Sequence, residues 1–433
     1  MFVGYFTERP YQDPNSGYFG ATGRSIMDLG MSNAAYDPRL GADLYHRYLD
    51  EKVYAEEQGF DGLMLNEHHS TPFCMGQVVN VEAAILARIT KKAKIVILGN
   101  ILPIWDDPLW LAEELAEIDM ISRGRLVTGW VRGTGRESVA HNAVPPYNWE
   151  RFQEAHDFII QAWTKPGPFR WEGEHYQYRY VNPWSRPYQT PHPPVWVPGV
   201  MSRNTVEWAA KHRYPYLMLA TELEPTKESF NYYDKVARDV GYEAGTQHRG
   251  YLFKVHVDET EELAHEVGRK FVDGPSNPFL EGNQGEVRPF IQNLPGLTSR
   301  TAVLPTMNVF SAAASRGRVA PAAPGTVQPS AAPQEDKDEV YKGQLEKMSI
   351  ITGTPKTVLP KIKHVLETLR PGTIFFWDGD GAMSHDDAMR SLRLMGSEVL
   401  PAVREMAKEL DLKGPFEIDP ATNKPIEGQN EPR

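Results

Sequence analysis

Cysteine is almost absent from this sequence: Cys74 is the one cysteine among 433 residues, so no intrachain disulfide can form. This composition is typical of proteins from reducing compartments. Long apolar runs are also missing, and none approaches the roughly 20 residues that a membrane-spanning helix needs. Residues 1–10 lack the basic and apolar regions of a secretory signal peptide. We therefore expect a cytoplasmic protein that does not act at a membrane.

Basic residues are in the minority, with 46 Lys and Arg against 57 Asp and Glu and a net charge of −11. An acidic surface repels phosphate backbones and anionic lipids, which argues against nucleic acid or a membrane as the partner. Several nucleotide and hydrolase motifs are missing as well. There is no Walker motif and no nucleophile elbow, and segment 133–136 lacks the third glycine of a dinucleotide fingerprint. The net charge says little about a small substrate, because a local basic pocket can lie on an acidic protein.

Short apolar runs alternate with longer amphipathic stretches along most of the chain. Eight of these runs are predicted strands: residues 2–6, 62–66, 94–99, 125–131, 195–199, 216–220, 251–257 and 373–377. The stretches between them predict helices, and one of these begins with Ser202 in a capping position. Parallel neighbours need long crossovers, and eight strand–helix units close into a (β/α)8 TIM barrel. A doubly wound open sheet is the alternative.

Two stretches interrupt this alternation. Residues 169–194 are rich in Pro, Tyr and Trp and predict a compact excursion over the barrel mouth. Residues 273–341 are a longer insertion, and their middle, 311–333, is largely Ala, Pro, Ser and Gly, which predicts a mobile lid. Residues 416–433 are polar and predict a surface tail. We expect a single barrel domain over 1–415, with the insertion before the last unit.

The triplet Glu67-His68-His69 follows the second predicted strand, at the barrel end where active sites form. Strand alternation puts Glu67 and His69 on one side and His68 on the other. Three interpretations stand: a metal site, two structural histidines, or a catalytic histidine whose ordinary pKa of about 6.5 suits proton transfer. No HExxH motif or spaced Cys/His set supports the first, so we expect no metal here.

Two further strand ends carry residues that fit a single anion. Arg132-Gly133 follows the fourth strand, and an Arg fork matches phosphate oxygens. Ser202 and Thr205 open the helix after the fifth strand, where free N–H groups and the helix dipole favour an anion. Each feature alone could be an ordinary cap or a surface arginine. A phosphate site built from two neighbouring strands explains both together.

With these motifs in place, the sequence resembles the bacterial luciferase-like flavin monooxygenases from residue 2 to about residue 404, apart from the insertion. The motifs occur in the family's order: residues 67–69, 99–103, 119–125, 129–133, 191–196, 202–210 and 353–355.

The resemblance implies reduced FMN as co-substrate, with Arg132, Ser202 and Thr205 at its phosphate. Met201 stands where the luciferase pattern has Glu, so its contact would come from the backbone N–H. The resemblance places Gly99 and Asn100 at the backbone, often with a non-proline cis peptide, that approaches the flavin ring. It also implies that His68 matches the histidine assigned to flavin-peroxide chemistry. Glu67 and His69 are expected to support His68 structurally.

The implied reaction inserts one atom of O2 into a small organic substrate through a C4a-(hydro)peroxyflavin, while the other atom leaves as water. Four aromatic residues near strand ends are pocket candidates and favour an apolar or aromatic substrate: Phe6, Phe73, Trp105 and Trp377. A separate NAD(P)H:flavin reductase and a homodimer are the expected partners. A deazaflavin-dependent hydride-transfer enzyme and a non-catalytic flavin-binding protein are the alternatives.

Overall fold

The computed structural model describes residues 1–13, 33–133, 135–200, 202–272 and 337–426. Met201 and most of the predicted insertion, 273–336, therefore lie outside the described residues. Twelve strands occur in the described part of the chain: β1 (Phe2–Phe6), β2 (Gly62–Leu65), β3 (Lys94–Ile97), β4 (Asn100–Ile101), β5 (Leu126–Val131), β6 (Phe169–Glu172), β7 (Gln177–Val181), β8 (Val195–Gly199), β9 (Tyr216–Leu219), β10 (Arg249–Val257), β11 (Ile350–Gly353) and β12 (Thr373–Trp377).

Helices follow most of these strands. They are α1 (Pro38–Glu57), α2 (Val79–Ile89), α3 (Pro108–Ser122), α4 (Gly135–Ala140), α5 (Asn148–Thr164), α6 (Arg203–Lys211), α7 (Leu223–Asp239), α8 (Glu261–Gly268), α9 (Lys337–Glu346), α10 (Pro355–Leu369), α11 (His385–Leu394) and α12 (Leu400–Glu409). Within the described ranges, no helix is both long and apolar enough to cross a bilayer.

Eight strands close into a parallel barrel in the order β1, β2, β3, β5, β8, β9, β10, β12 and back to β1. All eight predicted strands are present, with ends that differ from the prediction by at most two residues, and the open-sheet alternative is wrong. The predicted strand 94–99 ends two residues early, because β3 stops at Ile97, and the short β4 that follows it pairs with β5. The sequence did not reveal β11, which extends β10 outside the barrel ring.

The barrel interior is filled by aromatic and aliphatic side chains. At the amino ends of the strands, Phe2 packs edge-on against Trp196, with ring centres 5.4 Å apart. Phe416 closes this end, with its ring 5.4 Å from Phe2 and 5.8 Å from Trp196. The first residue of the predicted tail therefore packs against the core. This closure leaves the carboxyl ends of the strands as the open mouth of the barrel.

The Pro-, Tyr- and Trp-rich excursion contains the antiparallel hairpin β6–β7. Tyr178 stacks on Phe158 of α5, with ring centres 4.6 Å apart. Trp171 Nε1 donates a 3.2 Å hydrogen bond to Glu154 of the same helix. Tyr178 Oη also donates a 2.7 Å hydrogen bond to Asp107, in the loop that follows β4, whereas Tyr180 and Trp184 are exposed. The expectation that this segment lies over the mouth stays a prediction.

Candidate active site

The mouth collects the predicted site residues, because parallel strands in a barrel all end on the same side. A cavity of ≈ 630 Å³ lies at the opposite end and is lined by Phe2, Asp61, Lys94, Arg404 and Phe416. Phe2 and Lys94 begin their strands and Asp61 precedes β2, while Arg404 and Phe416 belong to the C-terminal part of the chain. That end of a barrel usually serves stability, so the mouth is the candidate active site.

Glu67 and His69 act together, as strand alternation predicted. Glu67 Oε1 lies 2.9 Å from His69 Nε2, and Glu67 Oε2 accepts a 3.0 Å hydrogen bond from the backbone N–H of Ile101. The expectation that they support His68 stays a prediction. Glu67 holds the β3–β4 backbone, and its Oε2 also accepts a hydrogen bond from Asn100 Nδ2 at 3.4 Å.

His68 points away from that pair and has partners of its own. Its Nδ1 lies 3.0 Å from Glu137 Oε1, and its ring packs edge-on against Phe73 at 5.6 Å. The side chain is 23% exposed, whereas that of Glu137 is 2% exposed. A carboxylate on one ring nitrogen fixes the imidazole's orientation and leaves Nε2 for another partner. This arrangement suits a histidine that exchanges a proton with a bound molecule.

Gly99 lies where two strands approach each other closely. The Leu98–Gly99 peptide is cis. A Cβ on Gly99 would lie 2.4 Å from the carbonyl oxygen of Gly129, so no side chain fits there. Asn100 is fully buried, and its Nδ2 donates to Asn80 at 3.0 Å, while its Oδ1 has no hydrogen-bond partner among the described residues. The strand end therefore offers bare backbone and an amide oxygen to a neighbour.

Arg132 follows β5 directly and is half-buried. Burial lowers the pKa of its guanidinium, and within the described ranges no carboxylate forms an ion pair with it. Gly133 comes next with φ +74°, a conformation that glycine adopts freely, and a Cβ there would lie 2.4 Å from Ile101. A desolvated cation without a carboxylate partner is costly unless an anion completes it.

The helix α6 begins beside this arginine, because β5 and β8 are neighbours and run parallel. Ser202 occupies the N-cap position, yet its hydroxyl makes no capping hydrogen bond. Thr205 lies in the first turn and is half-buried. The free N–H groups of a helix start form an anion site, and here no side chain of the cap residue satisfies them.

The four predicted pocket aromatics divide into three places. Phe6 and Trp377 meet inside the barrel below the mouth, with ring centres 5.3 Å apart. Phe73 lies beside His68. Trp105 packs against the outer hydrophobic core between strands and helices, apart from Phe6 and Trp377.

Sequence reasoning missed a buried ionic network at the end of β1. Arg9 is 1% exposed and forms a 2.9 Å ion pair with Glu82. Its Nη2 donates to the backbone oxygen of Asn66 at 2.6 Å. Glu8 accepts a 2.5 Å hydrogen bond from Asn66 Nδ2, and burial raises its pKa to about 7. The position of residues 8 and 9, directly after a predicted strand, was the available sign.

A second buried pair joins the last residues of β10 to the residue that follows β12. His256 Nδ1 lies 3.0 Å from Asp378 Oδ1, and its Nε2 lies 3.6 Å from Asp258. Burial disfavours the charged imidazole, but the two carboxylates raise the pKa of His256 to about 9. Lys254 is also buried and lies 4.7 Å from the ring centre of Trp377.

Comparisons with known proteins identify the family and the fold. The family model of luciferase-like monooxygenases matches residues 29–370. The alkanal monooxygenase alpha chain of Photorhabdus luminescens is 27% identical over 219 residues, which cover 50% of this chain and 60% of that protein. The oxygenase component of a flavin-dependent trigonelline monooxygenase from Acinetobacter baylyi is 27% identical over 179 residues, covering 41% of this chain and 49% of that one.

Among solved structures, the oxygenating constituent of 3,6-diketocamphane monooxygenase from Pseudomonas putida, in complex with FMN, shares the fold. Its TM-score is 0.64 at 19% identity, and the match covers 93% of this chain and 98% of that chain. The two sequence relatives are matched over only about half to three-fifths of their length.

Proposed function

The chain belongs to the luciferase-like monooxygenase family, and we propose that it is an FMN-dependent monooxygenase. In this proposal it uses reduced FMN and O2 to place one oxygen atom on a small, apolar or aromatic substrate. The observation that carries the proposal is the anion site at β5 and β8. There the desolvated guanidinium of Arg132 lies beside a helix start whose Ser202 hydroxyl makes no capping bond.

The residues of this site fit a phosphate monoester such as that of FMN. Arg132 offers two parallel N–H donors, which match two phosphate oxygens. Ser202 and Thr205 offer hydroxyls, and the first turn of α6 offers backbone N–H groups. The Met201 backbone and Gly133 would complete the contacts. The phosphate's negative charge would offset the desolvation of the guanidinium.

The flat part of the cofactor would lie against the β3–β4 backbone at Gly99 and Asn100. No side chain fits at Gly99, which keeps that surface level. The Asn100 amide oxygen, without a described partner, supplies an acceptor for a ring N–H. Glu67 stabilises this segment through the N–H of Ile101 at 3.0 Å.

His68 is the proposed catalytic residue, and Glu137 is the positioning residue behind it. Bound reduced flavin would supply the electrons for O2 activation. His68 Nε2 would hold or release the proton that the reaction requires, while Nδ1 stays fixed by Glu137 at 3.0 Å. Phe73 excludes water from one side of the imidazole, and Phe6 and Trp377 form an apolar floor.

The proposed partners are a separate NAD(P)H:flavin reductase and a second copy of this chain. The relative from Acinetobacter baylyi is named an oxygenase component, which supports a separate reductase. Exposed apolar side chains on the adjacent helices α2 and α3 support the second: Val81, Ile85, Ile89, Trp110 and Ile121. Light scattering should give the mass of a dimer, and Ile85→Glu should give monomers.

A screen of small apolar and aromatic compounds with reduced FMN and ¹⁸O2 tests the activity. The expected product carries one ¹⁸O atom, and its formation stops in His68→Ala at equal FMN binding. Turnover without oxygen and with a deazaflavin would instead support the hydride-transfer alternative. Flavin binding without any accelerated oxygen consumption would support a flavin carrier.

A further inference from the structure

A cluster of histidines lies on the outer wall of the barrel, away from the mouth. His156 belongs to α5, and His212 directly follows α6. One nitrogen from each imidazole and a carboxylate oxygen of Asp157 all lie within 4.8 Å of one another. We propose that His156, Asp157 and His212 form a divalent-metal site, with Zn²⁺ as the fitting ion, that ties α5 to the end of α6.

The geometry of the two imidazoles carries this inference. Their ring centres are 5.0 Å apart and their planes are inclined by 77°. Two imidazoles bound tetrahedrally to Zn²⁺, at metal–nitrogen distances of about 2.0–2.1 Å, have ring centres roughly 5 Å apart. The Asp157 carboxylate already lies 2.7 Å from His156 Nδ1. Side chains one residue apart on a helix do not normally face each other. The contact between Asp157 and His156 therefore places a carboxylate beside the two imidazoles as a third ligand.

The hydrogen bonds of the two rings show how each would present a nitrogen lone pair to a metal. His212 Nδ1 lies 2.8 Å from the carbonyl oxygen of Trp208, which only accepts hydrogen bonds, so Nδ1 carries the proton and Nε2 keeps its lone pair. His156 is 3% exposed, and its Nδ1 donates a hydrogen bond to the Asp157 carboxylate at 2.7 Å, so this nitrogen gives up its proton when it binds a metal. Its Nε2 lies 3.0 Å from the Tyr214 hydroxyl, which can accept the ring proton once Nδ1 binds a metal.

Access and ligand number define the kind of site. The Asp157 side chain is 64% exposed, so an ion can enter from solvent and the carboxylate can rotate to meet it. Three protein ligands leave one position of a tetrahedral ion for water. Helix α6 and the preceding strand β8 connect this wall to the proposed anion site. The metal would therefore hold the end of α6 that is far from the anion site.

Isothermal titration of untagged, EDTA-dialysed full-length protein with Zn²⁺ tests the site. We expect one Zn²⁺ per chain, and a higher Tm with Zn²⁺ than with EDTA. His212→Ala and Asp157→Asn should each weaken binding by at least about tenfold, since even outer-shell partners of zinc ligands contribute 10–100-fold. His364→Ala, which removes an exposed imidazole on α10, should bind Zn²⁺ as the unmodified chain does.

Co²⁺ provides an independent reading, because tetrahedral coordination gives intense visible absorption that Zn²⁺ then displaces. Absence of stoichiometric Zn²⁺ binding would overturn the proposal. Binding that survives in both His212→Ala and Asp157→Asn would overturn it too, as would binding that is lost in His68→Ala instead. None of these outcomes depends on FMN or on turnover, so the site can fail while the proposed monooxygenase stands.

Discussion

The two sides of the barrel mouth satisfy their charges in different ways. On the paired side, made of Arg9, Glu82, His256 and Asp378, each buried ion meets an opposite charge within 3.0 Å. On the anion side, made of Arg132, Ser202 and Thr205, the donors lack an acceptor among the described residues. The opposite charges of a buried ion pair stabilise each other, whereas donors without an acceptor are satisfied only when an anionic ligand binds. The paired side should therefore govern stability, and the anion side should govern cofactor affinity.

The largest expected effect is on the paired side. Glu82→Ala would leave the Arg9 guanidinium buried without its carboxylate, which typically costs about 3–5 kcal/mol of unfolding free energy. Urea unfolding followed by circular dichroism measures this loss. Glu117→Ala removes an exposed acid of α3 and should change the unfolding free energy by no more than about 0.5 kcal/mol. A loss below about 1 kcal/mol for Glu82→Ala would mean that the pair does not stabilise this side.

On the anion side, Arg132→Ala should lower the affinity for FMN and leave the stability of the fold unchanged. Hydrogen bonds to charged groups contribute about 1.5–3 kcal/mol, so FMN affinity should fall roughly 10- to 100-fold. Riboflavin, which lacks the phosphate, should bind as before, and the unfolding free energy should not fall. Fluorescence titration with both flavins checks this.

Arg203→Ala is the matched control for that experiment, because this exposed guanidinium lies 4.5 Å over the ring of Tyr232 instead of facing the mouth. It should leave both flavin affinities unchanged. Equal losses of FMN affinity and riboflavin affinity in Arg132→Ala would show that Arg132 does not bind the phosphate.

Glu8 sharpens the comparison, because it is the buried acid beside the paired side whose charge is not matched. Its pKa is raised from 4.5 to about 7 by burial, so the folded state holds a proton between those values that the unfolded state has lost. Stability therefore falls as pH rises from about 4.5 to 7, by roughly 1.4 kcal/mol per pH unit from this group. Glu8→Gln should remove that slope and become more stable than the unmodified chain above pH 7.

Urea unfolding across this pH range measures the slope, with Glu398→Gln, an exposed acid, as the control that keeps it. An unchanged slope in Glu8→Gln would show that Glu8 stays ionised in the fold.

The barrel was predictable from the sequence because each strand is a short apolar run and each helix has its own periodicity. The sequence also predicted that Arg132 and Ser202 lie near each other, because the residues that follow neighbouring parallel strands meet at one end of the barrel. The partner of His68 was not found. Glu137 lies 69 residues further along the chain on the short helix α4, and only the packed loop brings the two together.

The ionic network was missed for a different reason. Arg9 and Glu82 are 73 residues apart, and nothing in the alternation of apolar and polar residues tells a buried ion pair from two solvated charges. The segment 169–194 shows the same limit, since the sequence did not reveal that Trp171 and Tyr178 pack against Phe158 of α5. The pattern of apolar and polar residues predicts strands and helices. It does not predict which distant polar residues pair, because those pairs depend on how the elements pack.

Ser202→Ala has the smallest expected effect and separates the two sides most finely. An N-cap serine usually contributes about 1 kcal/mol to stability, but the Ser202 hydroxyl makes no capping bond, so its loss should cost almost nothing. Thr260→Ala on α8 is the matched control, because Thr260 Oγ1 accepts the Leu263 N–H at 3.2 Å and its removal should cost about 1 kcal/mol. FMN binding by Ser202→Ala should weaken about two- to tenfold, as for one neutral hydrogen bond. If Ser202→Ala instead loses as much stability as Thr260→Ala and keeps its FMN affinity, the hydroxyl serves the helix, and the anion side reduces to Arg132 and the backbone of α6.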